Sequence, residues 1–598
     1  MIDIFKKILY ILPKKDPIKI VFLFMLMIGA AVLEVAGIGM IPAFVAIVAA
    51  PERVLELEMV APFFDVLGIE NSMDLLIWGS FALLGIITLK NLYMIAFAYV
   101  EARFLYNRRY IISSRLMKAY MQAPYTFHLQ RNTSELLRNT TGEINVLSNI
   151  ILSNILKIAK HSVMAIAIFS FLIFVEPMIT ILIFVLSGLG AGSFILLTQN
   201  KMKLYGEEEQ ERRNLMIKAV YQGIQGIKEA RVLNREDEFI DKYREQSLRS
   251  TKLMAFIKFI QQIPKPVVEI TSVLGMLLIS ALLIWQGRPM SAIIPVLTLF
   301  AMAIVRLMPT IQTISSLYTN LRYNIVSLFP IYDDLKELEE FGTRMNQDRK
   351  KKEKLKLEKK IEIQDVFYSY PESDEKAING ISFAIPKGSA IALVGASGAG
   401  KTTMVDLLLG LLEPTKGKIS VDGQDIQEHL SGWQRNLGYI PQSIYLADES
   451  LRVNIAFGVP ENEIDDDKVR EAIELAQLTE LVSELPEGMD TIVGESGSRL
   501  SGGQQQRVGI ARALYHNPQI LIMDEATSAL DNITEQHIIK SIEKLKGERT
   551  IIMIAHRLTT VMNCDQLYLM ERGKIVQKGT YSDLIENSKE FREMALEA

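Results

Sequence analysis

The chain has 598 residues, more than one ordinary domain holds, and its 49% hydrophobic content with positive mean hydropathy points to a membrane protein. A net charge of −4 offers no basis for a nucleic-acid partner. The single cysteine, Cys564, excludes an intrachain disulfide and reads as a reduced cytosolic thiol.

The N-terminus carries Lys6, Lys7, Lys14, Lys15 and Lys19, and the first apolar run there is too long for a signal-peptide core and is read as a membrane span. A helix needs about 20 mostly apolar residues to cross a bilayer. Six runs qualify, at 18–49, 75–101, 147–175, 177–199, 255–285 and 291–320. The connection from Pro51 to Asp74 carries six acids against one base, and that from Arg103 to Arg138 seven bases against one acid. Basic connections stay on the cytoplasmic side, which places both termini, residues 103–146 and residues 200–254 inside. Glu176-Pro177 and Gln286-Gly287-Arg288-Pro289 are then short outer turns. The expected organisation is an all-α transmembrane domain over 1–330, a charged linker over 331–360 and a nucleotide-binding domain over 361–598.

In that last part, Ile361, Ile363 and Val366 alternate as in a strand. A second apolar strand, Ala390–Val394, leads into Gly395-Ala396-Ser397-Gly398-Ala399-Gly400-Lys401-Thr402, and an apolar helix follows. Strand, glycine-rich loop and helix in this order form a phosphate-binding loop, with Lys401 for the β- and γ-phosphates of ATP and Thr402 for magnesium. Leu500-Ser501-Gly502-Gly503-Gln504 opens another apolar helix, whose free amides and dipole favour an anion and make a second phosphate site. Ile520–Met523 is a buried-type strand ending in Asp524, suited to magnesium, and Glu525, suited to polarising an attacking water. One nucleotide and two phosphate sites in one domain type point to two copies clamping ATP between them.

Loop, LSGGQ and acidic strand end, in this order, resemble the ATP-binding cassette (ABC) family. The resemblance covers essentially the whole chain and implies an α/β P-loop ABC ATPase domain fused to a six-helix transmembrane domain, as in exporter half-transporters. It implies ATP and Mg2+ as cofactors and a C2 homodimer, with a heterodimer as the alternative. Lys401 of one chain and Ser501 of the other would share each ATP. It further assigns Tyr370 to stacking on adenine, Gln442 to sensing magnesium and γ-phosphate, Asp531 to the dimer interface and His556 to the γ-phosphate. Thr403 joins the nucleotide-binding set with Gly395, Ser397, Gly398, Ala399, Gly400, Gly502, Gly503 and Gln504. The long inner connections resemble the exporter extensions that touch the ATPase near Pro124–Gln130 and Val220–Gly226. The segment Thr491–Glu495 resembles the stretch that touches the partner's inner loops.

Cargo is a separate question, because fold does not give it. Ionisable residues inside spans are costly and mark candidate pathways: Glu34, Lys90, Lys265, Glu269 and Arg306. Lys90, Lys265 and Arg306 in three spans suit phosphate or pyrophosphate, and Lys265 with Glu269 also fits a simple pair on one helix face. Arg306-Leu307-Met308-Pro309, Glu34 with Pro42, and the patterned outer segment 51–72 resemble the bacterial flippase for lipid-linked oligosaccharides of protein N-glycosylation. The flippase has arginine where Lys90 and Lys265 stand here, and an arginine near Thr313. The expectation is an ATP-driven flippase of a lipid-linked, polyprenyl pyrophosphate-type cargo in the bacterial cytoplasmic membrane. A general lipid or multidrug exporter is the alternative.

Overall fold

The computed structural model describes the chain apart from residues 1, 14–15, 50, 53–68, 70, 286–289, 350–353, 372, 374, 525–531, 544, 555–557 and 598. Most of the expected outer segment 51–72 therefore lies outside the described residues, as do Glu525, Asp531 and His556. The chain divides into two units, one of Met1–Gln122 with Arg131–Glu340 and one of Ala123–Gln130 with Phe341–Ala598.

The first unit is helical. Helix α1 (Ile2–Ile11) buries Ile8 and Ile11 and exposes Phe5 and Leu9. It is followed by α2 (Asp16–Ala49), and then α3 (Ser72–Met121) begins at Asn71, whose side chain accepts from the amides of Met73 and Asp74. Beyond α4 (Tyr125–Gln130), which belongs to the second unit, come α5 (Thr133–Val175) and α6 (Pro177–Gln225). Proline at the first position of α6 suits a helix start. The unit continues with α7 (Ile227–Val232), α8 (Glu236–Gln262), α9 (Pro264–Trp285) and α10 (Met290–Asn324). Among the described residues four stretches are long and apolar enough to cross a membrane: Asp16–Val45, Ser72–Met121, Thr133–Val175 and Val296–Glu339. The runs expected at 177–199 and 255–285 fall in α6 and in α8 with α9, where several side chains are not among those described.

At 50 and 49 residues, α3 and α6 are each about 75 Å long, far beyond a hydrocarbon core of about 30 Å. Polar contacts tie the surplus lengths together. Asp16 meets Arg108 at 2.8 Å with both side chains buried. Glu143, fully buried, lies 3.4 Å from Arg138 and 3.9 Å from Arg213. Asn139 donates to the Asp334 carboxylate and the Tyr120 phenol. Helix α5 widens to π-helix at Asn139–Glu143 and Leu147–Leu152, next to these contacts. Gly206 lets α6 pass so close to α10 that a Cβ there would strike the Tyr323 carbonyl. The charged stretch from 331 is helical, in α11 (Leu328–Arg349), and buries Ile331, Leu335 and Leu338. The units part inside it, between Glu340 and Phe341.

In the second unit, β1 (Lys360–Tyr368), β2 (Ile378–Pro386), β4 (Lys416–Val421) and β5 (Gln424–Asp425) form an antiparallel sheet in the order β2-β1-β4-β5. The larger sheet runs β10 (Lys574–Gly579), β9 (Gln566–Glu571), β3 (Ala390–Val394), β8 (Thr550–Ile554), β7 (Ile520–Asp524), β6 (Leu437–Ile440). All neighbours in it are parallel except β10 with β9. Every residue of β3, β7 and β8 is buried, as a parallel sheet covered on both faces requires. In such a sheet ligands bind beyond the carboxyl ends of the strands, and β3 and β7 flank β8 there.

Candidate functional site

The loop after β3 is shaped by what its glycines permit. Gly400 has φ +98°, and a Cβ there would sit 2.6 Å from the Ala377 carbonyl. Ala396, Ser397 and Gly398 form an exposed crest, while Ala399 is buried and its carbonyl accepts from the Gly573 amide. Lys401 starts α12 (Lys401–Leu408) with only 6% of its surface exposed. Its ammonium donates to the carbonyls of Gly395 at 2.7 Å and Ala396 at 3.0 Å, so the loop is curled around its own cation. The result is a cradle of backbone donors with a fixed positive charge at one side, suited to a polyphosphate.

Thr402 is exposed, and the next residue, Thr403, is buried with its hydroxyl 3.1 Å from the Tyr370 phenol. Tyr370 also meets the Tyr368 ring edge-on, with centroids 5.1 Å apart. The proposed adenine-stacking ring is thereby held on the helix that starts with Lys401.

At the end of β7, Asp524 is buried. The register of β6 on β7 sets Ile440 opposite Met523, so the chain leaving β6 runs through Pro441 to Gln442 beside the end of β7; Gln442 is exposed. Thr402, Gln442 and Asp524 offer hard oxygen donors. Among the described residues no group of three His, Cys, Asp or Glu side chains could hold a metal alone. A donor set with a single carboxylate fits magnesium held jointly with substrate phosphates.

Sequence reasoning passed over Asp406. This carboxylate lies within α12, and burial first, then the charge of Asp524, pushes its pKa up to about 6. Burial, then Asp524 and Asp406, likewise push the Tyr439 phenol up. The available signal was one acid inside the apolar run Met404–Leu412. Tyr125 of α4, in the same unit, has its phenol raised by burial and then by Asp406 and Tyr370.

Ser501 caps α13 (Gly502–Tyr515) through a reciprocal box: its hydroxyl accepts from the Gln504 amide at 3.3 Å, and its own amide donates to the Gln504 side chain at 2.8 Å. Ser501 and Gly502 are exposed, and the Gly502 and Gly503 amides belong to the first turn, which has no intrahelical acceptors for them. Gln505 steadies the approach by donating to the carbonyls of Gly497 and Leu500.

In the helical unit, Lys90 on α3 and Arg306 on α10 converge on Glu34 of α2. The Lys90 ammonium lies 3.2 Å from one Glu34 oxygen, and Nε of Arg306 lies 3.2 Å from the other. Lys265, on α9, and Glu269 are exposed, and among the described residues neither joins the ion pairs at Glu34.

Comparison with known proteins covers both units. Residues 378–528 match the family described as ABC transporter, and residues 37–308 match the ABC transporter transmembrane region. The heterocyst differentiation ATP-binding protein HepA of Nostoc sp. is 33% identical over 77% of this chain and 74% of its own length. The ATP-dependent lipid A-core flippase of Cupriavidus pinatubonensis is 30% identical over 79% of this chain and 81% of its own. A solved bacterial Atm1-family ABC exporter with ATP bound shares the fold, with TM-score 0.72 and 21% identity over 95% of this chain and 98% of that one.

Proposed function

The chain belongs to the ABC transporters, as an exporter half-transporter whose ATPase is coupled to transport, and from that premise we propose that it is an ATP-driven flippase for a lipid carrying an anionic, diphosphate-type head. The head class includes polyprenyl pyrophosphate-linked oligosaccharides. The observation that carries this reading is Arg306: its side chain is 43% exposed in a helix of the membrane-spanning unit, where a charge is retained only at a cost. Relatives named as lipid A-core flippases support a lipid cargo.

The working unit is a homodimer in the bacterial cytoplasmic membrane with both termini inside. Lys401 and the loop 395–402 bind the phosphates, Tyr370 stacks on the adenine, and Ser501, Gly502 and Gly503 of the second copy close over the nucleotide with Asp531 at the interface. Thr402, Gln442 and Asp524 would hold magnesium, which would supply charge neutralisation for the phosphates. Glu525 orients and deprotonates the attacking water, and His556 holds the γ-phosphate end. Closure passes to the membrane helices through the inner connections, and hydrolysis resets them.

Reconstitution in liposomes tests the cargo. Lipid-linked diphosphates should stimulate ATP hydrolysis and reach the far leaflet. Stimulation by uncharged amphiphiles alone would establish the general lipid or multidrug exporter instead.

A further inference from the structure

The two cations that converge on Glu34 are not equivalent. Lys90 is buried, with its side chain 10% exposed, and its stem passes Gly37, one turn on from Glu34, where a Cβ would make ordinary van der Waals contact at 3.8 Å. The Glu34 carboxylate is 5% exposed. Arg306 approaches it through Nε at 3.2 Å and leaves its side chain 43% exposed. An apolar cluster fixes the site, with Ile38 of α2, Ile168 and Leu172 of α5, and Phe300 and Ala303 of α10 packed together.

Two cations on one carboxylate leave a surplus positive charge. A buried carboxylate that lost both partners would be severely destabilised. Here it would not lose both: if Arg306 turned away, Lys90 would still balance Glu34. The guanidinium can therefore leave without stranding a charge, and its planar fork suits bidentate contact with a phosphate.

We infer that Glu34 is a resident anion that competes with the cargo's diphosphate for Arg306, while Lys90 keeps Glu34 neutralised during the exchange. This rests on the anionic-head reading above. Glu34 is a positioning and specificity-setting residue: an uncharged head cannot displace it, so Arg306 stays engaged and closed to neutral lipids. No bond forms or breaks in the exchange; one ion pair replaces another.

The test uses the full-length protein in nanodiscs, with ATPase stimulation titrated by polyprenyl diphosphate, by polyprenol of the same length and by inorganic pyrophosphate. Glu34→Gln should lower the half-stimulating concentration of polyprenyl diphosphate about tenfold, because the competent free-arginine state is no longer rare. Glu34→Asp, which keeps the charge, should stay near the wild type. The double variant Glu34→Gln with Lys90→Met removes one charge of each sign and should reproduce the shift even if the single variant folds poorly. Stimulation of wild type with no shift in either Glu34→Gln protein overturns the inference alone. No stimulation of any protein by the diphosphate lipid overturns the cargo reading and the inference with it. A shift with inorganic pyrophosphate as well supports head-group recognition at Arg306; a shift with polyprenol equal to that with the diphosphate overturns the competition.

Discussion

The phenol oxygen of Tyr370 lies 3.1 Å from the hydroxyl of Thr403, two residues beyond the phosphate-loop lysine. This hydrogen bond joins the strand-end aromatic to the helix that carries Lys401, so the base and phosphate ends of a nucleotide would be gripped by parts that move together. Tyr370→Ala should raise KM for ATP about tenfold, the loss expected for one base–aromatic stack. Tyr370→Phe keeps the ring and should raise it only about twofold, since one part-buried hydrogen bond is lost. ATPase rates against ATP concentration decide this. An unchanged KM for Tyr370→Ala would remove the residue from the adenine site.

Glu525 follows the buried Asp524 directly in the chain. Glu525→Gln keeps size and hydrogen bonding but removes the base, so turnover should fall by on the order of 10²-fold or more while ATP still binds. The variant should accumulate as an ATP-bound dimer in size-exclusion chromatography with magnesium and ATP. Normal hydrolysis by it would show that another group activates the water.

The loop and helix cap of the candidate nucleotide site are largely legible in the sequence because their chemistry is local. A phosphate loop needs consecutive glycines and a lysine, and the cap of α13 needs Ser501 and Gln504 three apart; both are written in short stretches. Glu34, Lys90 and Arg306 each stood out as charges in apolar runs, but their convergence did not, because it depends on how three helices rotate against one another. The same reason hid Asp406, whose burial and proximity to Asp524 arise from packing. Charge alone marks the segment from 331 as a linker, whereas its apolar positions Ile331, Leu335 and Leu338 recur every three to four residues and bury one helix face.

Asp406 makes a pH-dependent prediction for the nucleotide-free protein in EDTA. Its folded-state pKa is raised to about 6 from an ordinary 3.8, by burial and then by Asp524. A carboxyl whose folded pKa is raised favours the folded state while protonated, so its contribution is fully present at pH below about 4 and is lost as pH rises through about 6. Asp406→Asn mimics the neutral form. Its thermal midpoint should exceed that of wild type by about 2 °C at pH 7.5, by roughly half as much near pH 5, and converge with it below about pH 4. A variant less stable than wild type at pH 7.5 would show that the ionised carboxylate is a needed partner in the apo unit.

The cap at Ser501 leads to the last prediction, that each ATP is held by two chains. Lys401→Ala disables a chain's own phosphate loop, and Ser501→Arg blocks its α13 terminus with a bulky cation. Either homodimer should fail to trap nucleotide. A mixed dimer, isolated through two different tags, combines the two lesions in one of its sites and leaves the other with an intact Lys401 from one chain and an intact Ser501 from its partner. Trapping of nucleotide at that one site, measured as bound ATP per purified mixed dimer, is the expected result. If each chain instead used its own Lys401 and Ser501, both sites of the mixed dimer would be damaged and none would trap.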